Sequence, residues 1–400
     1  MLKQYTLRER AIIVATYLLY SSFFIMYMST LGAPFMLGLA IFVVGISNLQ
    51  FKFAPYHLFT LQFCLYCFAT TFWALNGRET ITMSNTILQT ILVVSVFYAA
   101  FSPMKDNVNT LIKVITLSGY TVVIYTYFFY GFGHILSTNA DSKRILNSFN
   151  NVNVIGMLAA LSITFHFYLH LFEKKRKDLI FVIPAIILIG VTESRKAIFM
   201  AIAGVFLLFF FKARSGPRHN MLPIIKFLAI ATIIIALVES LAQTGMFTGA
   251  YERMQGLIAS FTGEGEVDSS TSLREYYRQV GWDQFMKTPI LGIGINNSAI
   301  LLSRVGSTHY TYLHCNYAEL AACGGLVGLI SYYGIYLYLL VNELKYIKVD
   351  KSAILFVIWL FLMLATDWGA VSYYPKHTYF NLMVFFLHIQ QMRQRHPYIK

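Results

Sequence analysis

Residues 178–212 read DLIFVIPAIILIGVTESRKAIFMAIAGVFLLFFFK. Two apolar runs, 178–192 and 196–212, are almost contiguous and hinge at Thr192-Glu193-Ser194-Arg195. A helix crosses a bilayer with ~20 apolar residues, so runs of this kind are span material. They are the seventh and eighth of twelve such segments, at 11–30, 34–50, 55–75, 85–103, 109–131, 152–172, 178–192, 196–212, 221–242, 317–342, 352–370 and 376–392. The first is followed directly by the second with no small-residue cleavage site, and reads as a span, not as a signal peptide.

The composition agrees. Of 400 residues, 57% are hydrophobic and 12% charged, against about 25% charged in soluble chains. The mean hydropathy is +0.60. Too little polar surface remains to cover a globule, and four cysteines are too few for a disulfide scaffold. The expected fold class is therefore all-α, a polytopic integral membrane protein of about 12 transmembrane helices. It divides as 1–242 (nine helices), 243–316 (an extracytoplasmic loop) and 317–400 (three helices and a cytoplasmic tail), all one integral domain.

The net charge of +13 would point to nucleic acid in a soluble chain. Here it reads as topology. With both termini in the cytoplasm, the cytoplasmic segments hold 20 of the 31 basic residues and six acids, a net of +14. The remaining 11 basic and 12 acidic residues sum to −1. That asymmetry is the positive-inside pattern, and no nucleic-acid partner is expected.

The 74-residue segment 243–316 is too long for a plain connection and is not low-complexity. Met254 to Phe261 and Leu273 to Met286 have helical spacing. Thr288-Pro289 ends the second helix, and Gly292 to Asn297 makes a turn. A small helical cap on the membrane surface is expected.

Three constellations can carry chemistry. Arg195, with Lys196, stands at the hinge and at the N-terminus of the eighth segment. Free N–H groups and the positive helix end there suit a phosphate, and a guanidinium fork matches its oxygens. The alternative is an interfacial arginine that snorkels or pairs with Glu193. Arg274 and Arg278, one turn apart, share a helix face. They either share an anion or lie on a solvated face, with Glu275 and Asp283 nearby. His309 and His314, followed by Asn316 and Glu319, precede the tenth segment. Their spacing is poor for metal, so no metal is expected. A histidine beside a carboxylate serves as a general base near neutral pH. The other reading is an interfacial histidine at a helix start.

Weaker features remain. Cys64 and Cys67 lie inside an apolar run and read as packing. Cys315 and Cys323 are unsuited to a disulfide, and none is expected. Glu239 and Asp367 lie near extracytoplasmic span ends. Lys143 and Arg144, in the 132–151 loop, are a further candidate anion contact. There is no Walker motif and no dinucleotide fingerprint, and no cytoplasmic segment is large enough to hold a nucleotide. No cofactor is expected.

Taken in order, the motifs resemble a known family. Tyr312-Leu313-His314-Cys315-Asn316-Tyr317-Ala318-Glu319-Leu320 followed by Gly324-Gly325-Leu326-Val327-Gly328 resembles the signature of the O-antigen polymerase and ligase superfamily of membrane glycosyltransferases. Ser272-Leu273-Arg274 leading to Pro289-Ile290-Leu291-Gly292-Ile293-Gly294 looks like that family's loop pattern. Thr192-Glu193-Ser194-Arg195 resembles its Ser-Arg motif at a span entry. Cys315 is a departure, because many members carry Asn, Ser or Gln there. The resemblance covers residues 190 to 340.

It implies a GT-C-like fold and a metal-independent, inverting glycosyl transfer on the outer face of the bacterial cytoplasmic membrane. The donor would be an undecaprenyl-pyrophosphate-linked oligosaccharide, held by Arg195 and Arg274, with His314 as base. Other implied partners are the growing glycan chain, membrane lipid and a chain-length regulator protein. Two enzyme readings follow. A polymerase joins lipid-linked repeat units into an O-antigen, capsule or exopolysaccharide. A ligase transfers finished glycan to lipid A–core, a phosphate-rich acceptor. Residues 243–316 hold five basic residues against six acids, which favours a polymerase with a neutral acceptor. A third reading, a flippase for lipid-linked glycan, would suit the broken hinge. It would need cations through the membrane depth, whereas the candidates share one face.

Overall fold

A computed structural model describes residues 4–27, 29–131, 151–173, 179–214, 221–243, 255, 269–307 and 310–399. The described residues are all-helical, with no strand. In chain order the helices are α1 (Leu7–Ile25), α2 (Gly32–Ile46), α3 (Pro55–Ala69), α4 (Gly77–Phe101), α5 (Asn107–Tyr130), α6 (Val152–Glu173) and α7 (Val182–Thr192). They continue as α8 (Arg195–Arg214), α9 (Leu222–Gln243), α10 (Ser269–Lys287), α11 (Ser298–Arg304), α12 (Asn316–Tyr346), α13 (Lys351–Asp367) and α14 (Lys376–Arg395).

Each of the twelve apolar segments carries one helix. Among the described residues, five helices (α4, α5, α6, α8 and α12) are long and apolar enough to cross a membrane. Helices α2 and α7 are apolar but shorter, so helix formation and membrane crossing are separate questions here. The chain is a membrane protein by these helices. Leu273–Met286 lies within α10, which ends before Thr288-Pro289 as its sequence requires. The Met254–Phe261 stretch apart from residue 255, Lys143, Arg144, His309 and the Glu239 side chain lie outside what is described.

Local sequence starts and stops the helices. Thr6 and Glu9 form a reciprocal cap on α1. Asn76 caps α4 by accepting from the Arg78 and Glu79 amides. At the hinge, Glu193 ends α7 in the left-handed conformation (φ 49°). Ser194 then caps α8, its hydroxyl 3.4 Å from the Ala197 amide. Helix α6 packs along α8. The approach at the hinge is close, because a Cβ on Gly156 would lie 2.9 Å from both Ala197 Cβ and Thr192 Oγ1.

Helix α12 is broken. Gly325 sits at φ 61°, ψ −163°, a region open essentially to glycine alone. The break frees backbone groups that need partners, and the Pro289–Gly294 segment supplies them. Ile293 and Gly294 N–H donate to the Ala322 and Cys323 carbonyls at 3.0 and 2.9 Å. In return, Leu326 and Val327 N–H donate to the Pro289 and Ile290 carbonyls at 2.8 and 3.2 Å. The stretch after Gly294 is stitched to α3 and α4. Asn297 accepts from the Asn76 amide (2.7 Å) and donates to Thr80 (2.9 Å). The turn is thus locked into the bundle by main-chain and side-chain bonds.

Candidate active site

Three chain segments converge at one end of the bundle. The α7–α8 hinge brings Arg195 and Lys196. Helix α10 brings Arg274. The turn before α12 brings His314.

Arg195 Nη1 donates to Thr271 Oγ1 at 2.9 Å, tying the hinge to the first turn of α10. Arg274 lies one turn further along α10. Lys196 Nζ donates to the Gly369 carbonyl beyond the end of α13. Helix α10 lies on the start of α12 at Gly281, where a Cβ would approach Leu313 Cδ1 to 2.6 Å.

His314 adopts φ 57°, left-handed backbone that costs a non-glycine residue roughly 1–2 kcal/mol. Such strain persists only where the surroundings impose it. Glu319 imposes it here. Buried one helical turn into α12, it accepts from the Leu313 amide at 3.0 Å through Oε2 and from the Ser298 hydroxyl at 2.5 Å through Oε1. Glu319→Ala would leave both donors buried and unpaired. We expect a loss of about 2–4 kcal/mol, read as a lower thermal midpoint. An unchanged midpoint would show that Glu319 does not hold this turn.

The His314 ring stacks on Tyr277 (centroids 6.3 Å, 10°) and tilts against Tyr312 (4.2 Å, 43°). Nε2 lies 3.3 Å from Thr311 Oγ1. This is the ring's one hydrogen bond among the described residues, and in the tautomer whose Nε2–H donates to Thr311, Nδ1 is the acceptor. Burial, then the positive charge of Arg274, then that of Lys196, push the imidazole pKa down to about 4. Arg274, Lys196 and His314 therefore feel one another electrostatically, and the imidazole is neutral at physiological pH.

Asn316 organises the far side. Its Oδ1 accepts from the Ser372 and Tyr373 amides at 2.9 and 3.3 Å. Its Nδ2 donates to Tyr333 Oη (2.8 Å) and Asp367 Oδ2 (3.2 Å), and Tyr333 Oη also donates to Asp367 Oδ2 at 2.9 Å. Beside this network a cavity of about 330 Å³ is lined by Lys196, Tyr312, Asn153, Asp367, Trp359 and Asn381, among others.

Arg278 is placed differently from Arg274. Its guanidinium pairs with Glu275 and lies over the Trp368 ring, 5.2 Å from the centroid. Sequence reasoning missed Thr271, Tyr277, Tyr312 and Tyr333. The signal for Tyr312 and Tyr333 was the density of tyrosine around residues 310–336, a stretch that holds neither Thr271 nor Tyr277. All four cysteines are buried free thiols. Among the described residues no His, Cys, Asp or Glu cluster is arranged to hold a metal.

The fold and this site define a helical membrane protein with cations gathered about a neutral histidine at one end of its bundle. Residues 179–333 match the family described as O-antigen ligase. Over this stretch the chain is similar to that family, in keeping with the motif resemblance. The match contains Arg195, Arg274 and His314, the residues on which the motif resemblance rested. No curated protein matches the chain.

Proposed function

We propose that the protein is a polysaccharide polymerase. It joins undecaprenyl-pyrophosphate-linked repeat units on the outer face of the bacterial cytoplasmic membrane, with both chain termini inside. One observation carries the reading: the charges of Arg274 and Lys196 act on the half-buried imidazole of His314, and Arg195 is tied to the helix that bears Arg274.

The chemistry follows from that arrangement. The donor's pyrophosphate lies against Arg195 and Arg274, with Lys196 as a third cation. Fixed guanidiniums stabilise the charge that develops on the leaving group. His314 Nδ1 takes the proton of an acceptor sugar hydroxyl, while Nε2–H stays on Thr311. The acceptor oxygen attacks the anomeric carbon. The C1–O bond to phosphate breaks, its electron pair leaves with undecaprenyl pyrophosphate, and the anomeric configuration inverts.

A base with a pKa near 4 is weak. Burial is the main cause and the two cations add to it; the negative donor offsets the part due to the cations, so donor binding raises the basicity of His314. The base becomes strongest when the donor is in place.

The sign of the pH effect follows. The active form is the neutral imidazole, so kcat/KM is lost as pH falls through about 4, the value for the donor-free protein. Arg274→Gln removes a repelling cation, so the acidic limb of its residual activity should move upward. The same variant should bind donor at least tenfold more weakly. A limb that stays in place, or donor affinity unchanged, would remove Arg274 from this role.

Reconstitution with purified undecaprenyl-pyrophosphate repeat unit as the only glycan tests the function. A ladder of lengthening products is expected. The family description itself favours a second reading, a ligase. Product formed only when lipid A–core is added would establish that reading. No chemistry with either acceptor would sink both.

A further inference from the structure

The end of the bundle opposite His314 carries a second recess. Helix α3 begins there, while its other end meets the Gly294–Asn297 turn through Thr70. Helix α14 ends there, while its start lines the cavity beside Lys196. Between them opens a groove of about 360 Å³.

Its apolar wall is aromatic. Tyr338 and Phe386 stack at 5.7 Å and 21°, and Tyr98 reaches Gln390 at 3.1 Å. Its rim is cationic, formed by Lys52 and Arg393. Arg393 is held in place by neutral groups, its Nη2 donating to Tyr338 Oη and Asn342 Oδ1, each at 3.0 Å. No Asp or Glu lines the groove, and among the described residues neither cation makes an ion pair. The neighbouring recess differs. There Arg395 faces Asp350 at 3.5 Å, with Glu173 in the same wall. Two uncompensated cations over an aromatic wall are complementary to an anion that carries an apolar body.

The surroundings say which kind. Lys52 lies between Phe51 and Phe53, 61% and 73% exposed, in the link from α2 to α3. Exposed aromatics flanking a lysine beside the ends of α4 and α12, both long enough to span, are suited to the depth of lipid headgroups. A soluble anion would leave both rings in water.

We propose that this groove binds an anionic membrane phospholipid. Lys52 and Arg393 hold the headgroup phosphate, and Tyr338 and Phe386 pack against the glycerol and the first acyl carbons. The site is separate from the glycosyl-transfer site and does not rest on that reading.

Native mass spectrometry of the full-length protein, titrated with phosphatidylglycerol in detergent, tests it. Wild type should retain phosphatidylglycerol in preference to phosphatidylcholine. Each cation near a charged headgroup contributes about 1 kcal/mol, so Lys52→Gln/Arg393→Gln should weaken binding by at least tenfold. Lys52→Gln alone, at an exposed position outside any helix, should cost roughly fivefold and leaves the fold untouched. The charge-matched pair Lys345→Gln/Lys348→Gln, exposed at the same end, should retain wild-type affinity. The proposal is overturned by equal retention of both lipids, by unchanged binding in Lys52→Gln, or by equal losses in the two double variants. It is also overturned if inorganic phosphate alone displaces the lipid at similar concentration, since the ligand would then be a soluble anion.

Discussion

Replacing His314 by Asn is expected to lower turnover of lipid-linked repeat units by about 10²–10⁴-fold, the usual worth of a positioned general base. Donor affinity should stay within a few-fold of wild type. Asn is the informative substitution because of the backbone. Residue 314 sits at φ 57°, and Asn adopts this conformation more readily than other non-glycine residues. The turn between Leu313 and Cys315 is therefore kept while the imidazole is lost. His314→Ala should abolish turnover equally, with an added strain cost. Near-normal turnover in the Asn variant would remove His314 as the base. Loss of donor binding together with turnover would make it a binding residue instead. The cations are predicted to behave in the opposite sense, with donor affinity falling first.

The largest structural effect is expected at Gly325. An alanine there meets two penalties. Its φ of 61° with ψ of −163° is closed to side-chain-bearing residues. The added Cβ would also lie 2.4 Å from the Ile290 carbonyl oxygen and 2.5 Å from its carbon. Both neighbours are backbone, so no rotamer change relieves the clash. A cost of at least ~3 kcal/mol follows. It should appear as loss of folded protein or a much lower thermal midpoint in detergent. Gly334→Ala, in the same helix with nothing within 4 Å of the new Cβ, should be neutral or slightly stabilising. Equal behaviour of the two variants would show that the break in α12 is not required. Gly292 shares the constraint, since its Cβ would lie 2.5 Å from the Cys323 carbonyl carbon and oxygen. The glycines that carry the family resemblance are therefore construction elements. They let the Pro289–Gly294 segment lend its main chain to a broken helix, the same helix that begins just after His314.

Much of this was legible in order along the chain. Hydrophobic runs mark where helices form, because an apolar stretch with its backbone satisfied internally is helix. The hinge at Thr192–Arg195 was legible because polar residues interrupt two apolar runs. Helix α10 was legible up to Pro289, where proline disfavours a helical neighbour. Arg195, Arg274 and His314 stood out because ions near a membrane are costly and need a reason.

Other features were not legible. Arg274 and Arg278 have the same helical spacing relation to their surroundings, yet Trp368 and Glu275 take Arg278 while Arg274 acts on His314. Spacing describes one helix, and the distinction comes from a partner 90 residues away in sequence. Glu319 read as a carboxylate near a histidine, which suggests direct contact. It binds the Leu313 amide and Ser298 instead. Five of the described helices are long and apolar enough to span by themselves, so a count of about 12 rests on the apolar runs and not on helix length.

Sequence by itself determined that this is a helical membrane protein, where its helices begin, and which few cations and histidine to examine. These are local properties, set by hydropathy, capping and φ preferences over a handful of residues. Only the tertiary structure decided that a hinge, a loop helix and a turn, spread over 120 residues, meet at one point. It also decided that burial and the charges of Arg274 and Lys196 push the imidazole pKa there downward. That outcome depends on burial and on the distances between charges, and neither is a property of any single segment.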